Sequence, residues 1–307
     1  MTTSPAIGII LTLVSSFLIT INDALTKLLV AKLPAGQIVS IQAFAAIVVV
    51  LALAMRRGSP RLAVANRGRQ LLRAGLNALS LITFVVGLMH LPLSIATTLS
   101  FANPLFVSVL APVLLGERLD GFRMLAVVAG FAGVMLVLDP GSGGMTLYAL
   151  LPLAAAAFSA LRDILTRRLA QTDSSITTML HSSVVTMIVG LVWSQGRFVM
   201  PTLQEAMLLA MMTAAHMTAL YCMIEALRFA DAATVSPFKY ASLLWAIGLD
   251  LLIWLRPPEW NVMIGAAIII AAMSYIYRRE RRFLRGTIAP APAGSLQPQP
   301  RSKSKAG

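Results

Sequence analysis

The 307-residue chain is 58% hydrophobic and 12% charged, with a mean hydropathy of +0.81 and a formal charge of +13. Soluble domains carry roughly twice that charged fraction, so a water-soluble fold is excluded and lipid is the implied solvent. Nucleic acid is not the implied partner, because Lys and Arg cluster at the ends of apolar runs with no DNA- or RNA-binding motif between them.

A helix needs about 20 apolar residues to cross a bilayer. Runs of that kind predict ten spans, near 7–29, 37–55, 71–90, 93–115, 123–138, 146–168, 176–194, 204–227, 232–254 and 260–277. The first has no basic segment before it and no convincing cleavage site, so it reads as a retained helix and not as a signal peptide. Very tight connections join the third span to the fourth and the eighth to the ninth. The lone cysteine, Cys222, allows no internal disulfide and makes a Cys-based metal site implausible.

With the N-terminus inside, nineteen of the 25 Lys and Arg residues fall on the inner side. Three fall outside (Lys32, Arg197, Arg256) and three within spans (Lys27, Arg162, Lys239). The positive-inside rule therefore predicts an inner-membrane protein with both termini cytoplasmic. From about Gly286 the chain is rich in Pro, Ser and basic residues and reads as disordered.

Self-comparison reveals a repeat. NDALTKLL at 22–29 lies over RDILTRRL at 162–169, an offset of 140. GLMHLPLSIATTLSFANPLF at 87–106 lies over ALRFADAATVSPFKYASLLW at 226–245, an offset of 139, with helix, tight turn and helix in the same places. Each half then holds five helices, and an odd number inverts the second half relative to the first. The expected organisation is an all-α integral membrane fold of two inverted five-helix repeats, 1–140 and 141–280, followed by a basic cytoplasmic tail at 281–307.

Ten helices as five plus five, an Asp-bearing first helix in each half, and PLFVSVLAPVLLGERL (104–119) closing the fourth helix resemble the drug/metabolite transporter superfamily. The EamA-type transporters are the nearest branch, over about residues 6–280. SPFKYASLLWAIGLDLLIW (236–254) is similar to the ninth helix of members that import riboflavin or S-adenosylmethionine. Gly116–Glu117 has no counterpart in the second half, where Leu255 and Arg256 stand. The resemblance implies a central cavity lined chiefly by the first, third, fourth, sixth, eighth and ninth helices.

A charged group at mid-depth costs at least about 2.5–3.5 kcal/mol, so it faces a partner, a cavity or water. Lys239 is the leading substrate-contact candidate, either meeting an anionic or carbonyl group or forming a structural ion pair. Ser236, Lys239 and Ser242 form a polar stripe on the ninth helix, with Tyr240 and Trp245 nearby and Ser100 and Asn103 in the related part of the fourth. Asp23, Asp163 and Asn22, in the repeated motif, are candidates for coupling or gating. Lys27, at i+4 from Asp23, and Arg162 and Arg167, adjacent to and at i+4 from Asp163, also allow a purely structural pairing of the two carboxylates. None of His90, His181 and His216 is singled out.

Pro104, Pro112 and Pro237 interrupt helices of the expected cavity and serve equally as kinks or hinges. No HExxH, GxSxG or facing Asp pair supports an enzyme, and GSGG at 141–144 reads as a turn. No ATP-binding motif or cofactor site is visible. The expected function is a secondary transporter of a small metabolite (vitamin, nucleoside-like or amino-acid-like), monomeric or homodimeric in the lipid bilayer. The alternatives are a structural or assembly membrane protein and an efflux carrier for amino acids or drugs.

Overall fold

The computed structural model describes residues 5–56, 66–115, 121–139, 147–169, 173–230 and 235–287. Among them the first repeat contains α1 (Pro5–Leu29), α2 (Ala35–Arg56), α3 (Arg67–His90), α4 (Leu93–Ser100), α5 (Asn103–Leu115) and α6 (Gly121–Leu138). The second contains α7 (Leu150–Leu169), α8 (Ser175–Ser194), α9 (Leu203–Phe229), α10 (Ala241–Trp254) and α11 (Trp260–Thr287). All ten expected spans are helical, the fourth as α4 plus α5. The ninth is a 3₁₀ turn, Ser236–Tyr240, leading into α10. Helix α11 runs past position 280 to Thr287. The tail from 288, the Gly-rich stretch 141–144 and the Gly116–Glu117 pair lie outside the described residues.

Local chemistry explains several helix starts. Asn66 Oδ1 accepts from Arg69 N–H, and Ser174 Oγ accepts from Thr177 N–H. Thr202 and Glu205 form a reciprocal capping box at the start of α9. Pro104 sits in the first turn of α5 and Pro237 in the first turn of the 3₁₀ segment. There the missing N–H has no intrahelical partner to lose.

Helix pairing follows the inverted repeat. α1 packs along α9, and α7 along α3, while α2 crosses α8 and α6 lies on α11. These pairings are the ones a two-fold axis relating each span to the fifth one after it would produce. The two breaks also meet: Phe101 and Tyr240, equivalent positions at the 139 offset, pack edge to face with ring centroids 5.1 Å apart. Between helices the core is alanine-rich (Ala74, Ala96, Ala160 and Ala226 are inaccessible), which lets backbones approach closely. Ile10, Val48, Leu125, Val128, Val192 and Leu252 face outward as a lipid-contacting surface.

The two ends of the bundle differ. The near face is the one at which α1 begins and the far face the one at which it ends. At the far face, Leu25, Leu29, Leu33, Ile38, Leu209 and Met212 form one dry cluster. Ala24, Leu88, Leu93, Ala96 and Ala246, with Phe84, Leu249 and Trp254, form a second. The end of α1 is thus packed against five neighbouring helices, α2, α3, α4, α9 and α10. The equivalent end of α7, at the near face, is tied to α3 by a polar bond, and α3 is tied in turn to α8 and to Asp173 just before it. Arg73 Nε donates to Thr166 Oγ1 at 2.6 Å, and Gln70 Nε2 donates to Asp173 at 2.7 Å and to Thr178 Oγ1 at 2.9 Å.

Candidate functional site: a polar cavity between the repeats

A cavity of 410 Å³ lies between the halves, bounded by α2, α3, α7, α8, α9 and the break in the fourth span. Its wall is polar for a membrane interior: Gln42, Asn77, Ser80, Ser100, Asn103, Ser159, Arg162, Ser182, Thr186 and His216 all face it. Polar groups at this depth are tolerated because they line a cavity instead of lipid.

Ser100 and Asn103, expected from the sequence, both reach the wall because the helix breaks at Phe101–Ala102 and turns their side chains inward. Asn103 Nδ2 donates to Asp163 Oδ2 at 3.3 Å and to the Ala156 carbonyl at 3.4 Å, tying the fourth span to α7. Lys239 is exposed at the near-face end of the ninth span and makes no ion pair among the described residues. Tyr240 packs on Phe101 at the edge of the large core cluster of the fourth, fifth and tenth spans.

Ser242 and Trp245 turn toward α1 and not toward the cavity. The Ser242 hydroxyl donates to the Lys239 carbonyl, and its own carbonyl accepts from Thr20 Oγ1. Trp245 Nε1 donates to Ser16 Oγ at 3.3 Å, and its ring meets Phe17 edge-on at 5.1 Å. The Ser236 side chain lies outside the described residues. The polar stripe read from helical spacing is therefore divided, because the 3₁₀ turn rotates residues 236–240 relative to those in α10.

Of the local pairings offered for the repeated motif, that of Asp23 with Lys27 does not form and that of Asp163 with the adjacent Arg162 does. Lys27 does not reach Asp23; it donates to the Leu91 carbonyl and lies over the Trp254 ring, 4.7 Å from its centroid. Asp23 instead accepts from Asn22 Nδ2 at 3.0 Å, and Asn22 Oδ1 accepts from Gln42 Nε2 at 2.6 Å. Since Gln42 is on the cavity wall, an amide relay links that wall to the Asp23 carboxylate. In the second half Asp163 pairs with its neighbour Arg162, Nη2 to Oδ1 at 2.8 Å. The Arg167 side chain lies outside the described residues.

Sequence reasoning missed Arg162, Gln42 and Asn77 as wall residues. A signal existed for Arg162: at the 140 offset it stands where the first half has Asn22, a polar position where the halves differ in charge. Also missed was Asp250, 2% exposed on α10. It accepts from Leu93 N–H at 3.0 Å, Ser94 N–H at 2.7 Å and Ser94 Oγ at 2.6 Å, and so caps α4 from another span.

An all-helical membrane bundle of two inverted repeats, with a midplane polar cavity and two spans broken at equivalent points, is the architecture of a carrier. The chain belongs to the EamA-like transporter family, which it matches over residues 6–139 and again over 146–278. It is 27% identical over 273 residues to an S-adenosylmethionine uptake transporter of Rickettsia bellii, covering 89% of this chain and 93% of that one. A riboflavin transporter of Rhizobium johnstonii is 33% identical over 218 residues, 70% of this chain and 71% of its own. A pseudopaline exporter of Pseudomonas aeruginosa is 26% identical over 278 residues, 89% and 97% of the two chains. One solved crystal structure shares the fold with a TM-score of 0.61 at 16% identity, covering 90% of this chain and 99% of that one. The protein is a transporter of small metabolites.

Proposed function

We propose that the protein is a secondary carrier of the inner membrane, with both termini cytoplasmic, whose halves rock about the cavity to expose it to each face in turn. The observation that carries this reading is the 410 Å³ polar cavity between the repeats, sealed by apolar clusters at the far face and bounded by polar bonds at the near face. Inverted repeats around a midplane site with discontinuous helices are how alternating access is built. The cargo is a small polar metabolite of the vitamin, nucleoside-like or amino-acid-like class. Similarity to carriers of S-adenosylmethionine and riboflavin supports that class. With no ATP-binding motif in the sequence, an ion or substrate gradient supplies the drive.

In this reading Ser100 and Asn103 contact the cargo from the fourth span. Lys239, Tyr240 and Ser236 approach it from the ninth, with Ser242 and Trp245 setting that span against α1. The test is counterflow in proteoliposomes loaded in turn with unlabelled S-adenosylmethionine, riboflavin and amino acids. Trans-stimulated uptake of one labelled compound is expected, with Lys239→Met slowing its initial rate. Unchanged kinetics in that variant would remove Lys239 from the site, and absence of any counterflow would sink the carrier reading.

Coupling falls to Asp23, with Asp163 acting in gating. Among the described residues the Asp23 side chain hydrogen-bonds Asn22 alone, which connects it to the cavity wall through Gln42. Asp23→Asn is expected to keep counterflow, which needs no net ion movement, and to lose accumulation driven by an imposed pH gradient. Intact pH-driven accumulation would rule Asp23 out as the coupling group.

A further inference from the structure

The α7 wall of the cavity presents a guanidinium, Arg162, whose partner is the carboxylate beside it. Arg162 and Asp163 form the one ion pair among the described residues. The Arg73 guanidinium is taken up by the hydroxyls of Thr166 and Ser182, and Lys239 makes no ion pair among the described residues. A guanidinium on the cavity wall, held by one exchangeable carboxylate, favours an anionic visitor.

The donors of Arg162 are arranged for such a group. Nε and Nη2 both donate to a single oxygen, Oδ1 of Asp163, at 3.0 and 2.8 Å. Nη1 donates to Asn77 Oδ1 at 3.1 Å and Nη2 to Ser159 Oγ at 2.7 Å, which fixes the plane of the guanidinium. A free carboxylate can instead take the fork with two oxygens, the stronger geometry. Exchange costs little, because the Arg162 and Asp163 side chains are 27% and 41% exposed and pairs screened to that degree are weak. On the α9 wall, His216 Nδ1 is buried with no hydrogen-bond partner among the described residues and offers a second polar contact.

We propose that Arg162 anchors a carboxylate of the transported metabolite, and that Asp163 holds the guanidinium until that carboxylate displaces it. The inference rests on the carrier reading and names its substrate class: a small carboxylate-bearing or zwitterionic compound. Arg162 is then the specificity-determining residue, and Asp163 is an internal competitor for the same donors.

The test uses purified full-length protein and its melting temperature against S-adenosylmethionine and the twenty protein amino acids, each beside its carboxyl methyl ester, with riboflavin as a carboxylate-free probe. A ligand bound only by the folded state raises the melting temperature with its concentration. The expected result is that at least one acid stabilises the wild type and its ester needs about a tenfold higher concentration. This comparison needs no mutant to fold. Arg162→Gln loses the response, while Asp163→Asn, with the competitor removed, responds at about tenfold lower concentration.

Equal responses to acid and ester overturn the proposal, as does stabilisation by riboflavin alone or silence across every acid. Parallel weakening by both variants also overturns it, because a purely structural pair would behave that way. Failure of the carrier reading is distinguishable: riboflavin counterflow without any carboxylate binding keeps the carrier and removes the anchor.

Discussion

Asp250→Ala is expected to destabilise the protein by about 3–5 kcal/mol, read as a lowered melting temperature of the purified protein. The variant leaves the Leu93 and Ser94 N–H groups and the Ser94 hydroxyl without their acceptor. Orphaning a buried donor costs about 1–3 kcal/mol, more where the lost partner is charged. The helix has no local substitute, because α4 is only eight residues long and its N-cap is Pro92, whose side chain accepts no hydrogen bond. Nor can water stand in readily, since Asp250 is 2% exposed. The carboxylate also faces the positive end of the α4 dipole. Asp250→Asn is expected to fall between wild type and Ala: its amide oxygen accepts one N–H while its NH₂ opposes the other. A wild-type melting temperature in both variants would show that the cap contributes nothing.

Gly36→Leu is expected to prevent formation of the far-face seal, with loss of folded protein on purification. A Cβ at Gly36 would lie 2.4 Å from Ser194 N, 2.5 Å from Gly190 O and 2.9 Å from Trp193 C. All three are backbone atoms, so no rotamer change relieves the clash and α2 must separate from α8. Gly190 is equally tight, with Gly36 O and Ser40 N each 2.9 Å from its Cβ position. Close backbone approach through small residues is the main means by which helices pack in lipid. Gly248→Ala is the matched control, since nothing lies within 4 Å of its Cβ position. It should be neutral or slightly stabilising, as Gly→Ala in a helix interior generally is. If Gly36→Leu purified and melted like that control, the tight α2–α8 crossing would not be a determinant of the fold.

The contrast between Lys27 and Asp250 shows where sequence reading reached its limit. Lys27 had a carboxylate four residues away and a plausible local pair, yet the end of α1 meets α3 and the ninth span. There the ammonium finds the Leu91 carbonyl and the Trp254 ring. Asp250 sat in an apolar run with no cation three or four residues away on either side. That absence was a legible sign of a partner on another span, but nothing in the run identified the start of α4. Ser100 and Asn103 were legible as wall residues because the repeat aligned their helix–turn–helix with that of the ninth span. Ser242 and Trp245 were not legible as α1 contacts, because the 3₁₀ turn changes the helical phase between Lys239 and Ser242.

The sequence by itself determined the solvent, the ten spans, the inverted repeat and the family resemblance. These depend on hydropathy, charge placement and self-similarity, which are properties of consecutive residues, and lipid requires each span to satisfy its own backbone. Only the tertiary structure decided which polar side chains share the cavity, which cation holds Asp163, and which helix Asp250 caps. Those choices depend on how each helix is rotated and crossed against its neighbours. At Gly36 and Gly190 that crossing is set by the contact of two backbones 154 positions apart in the chain.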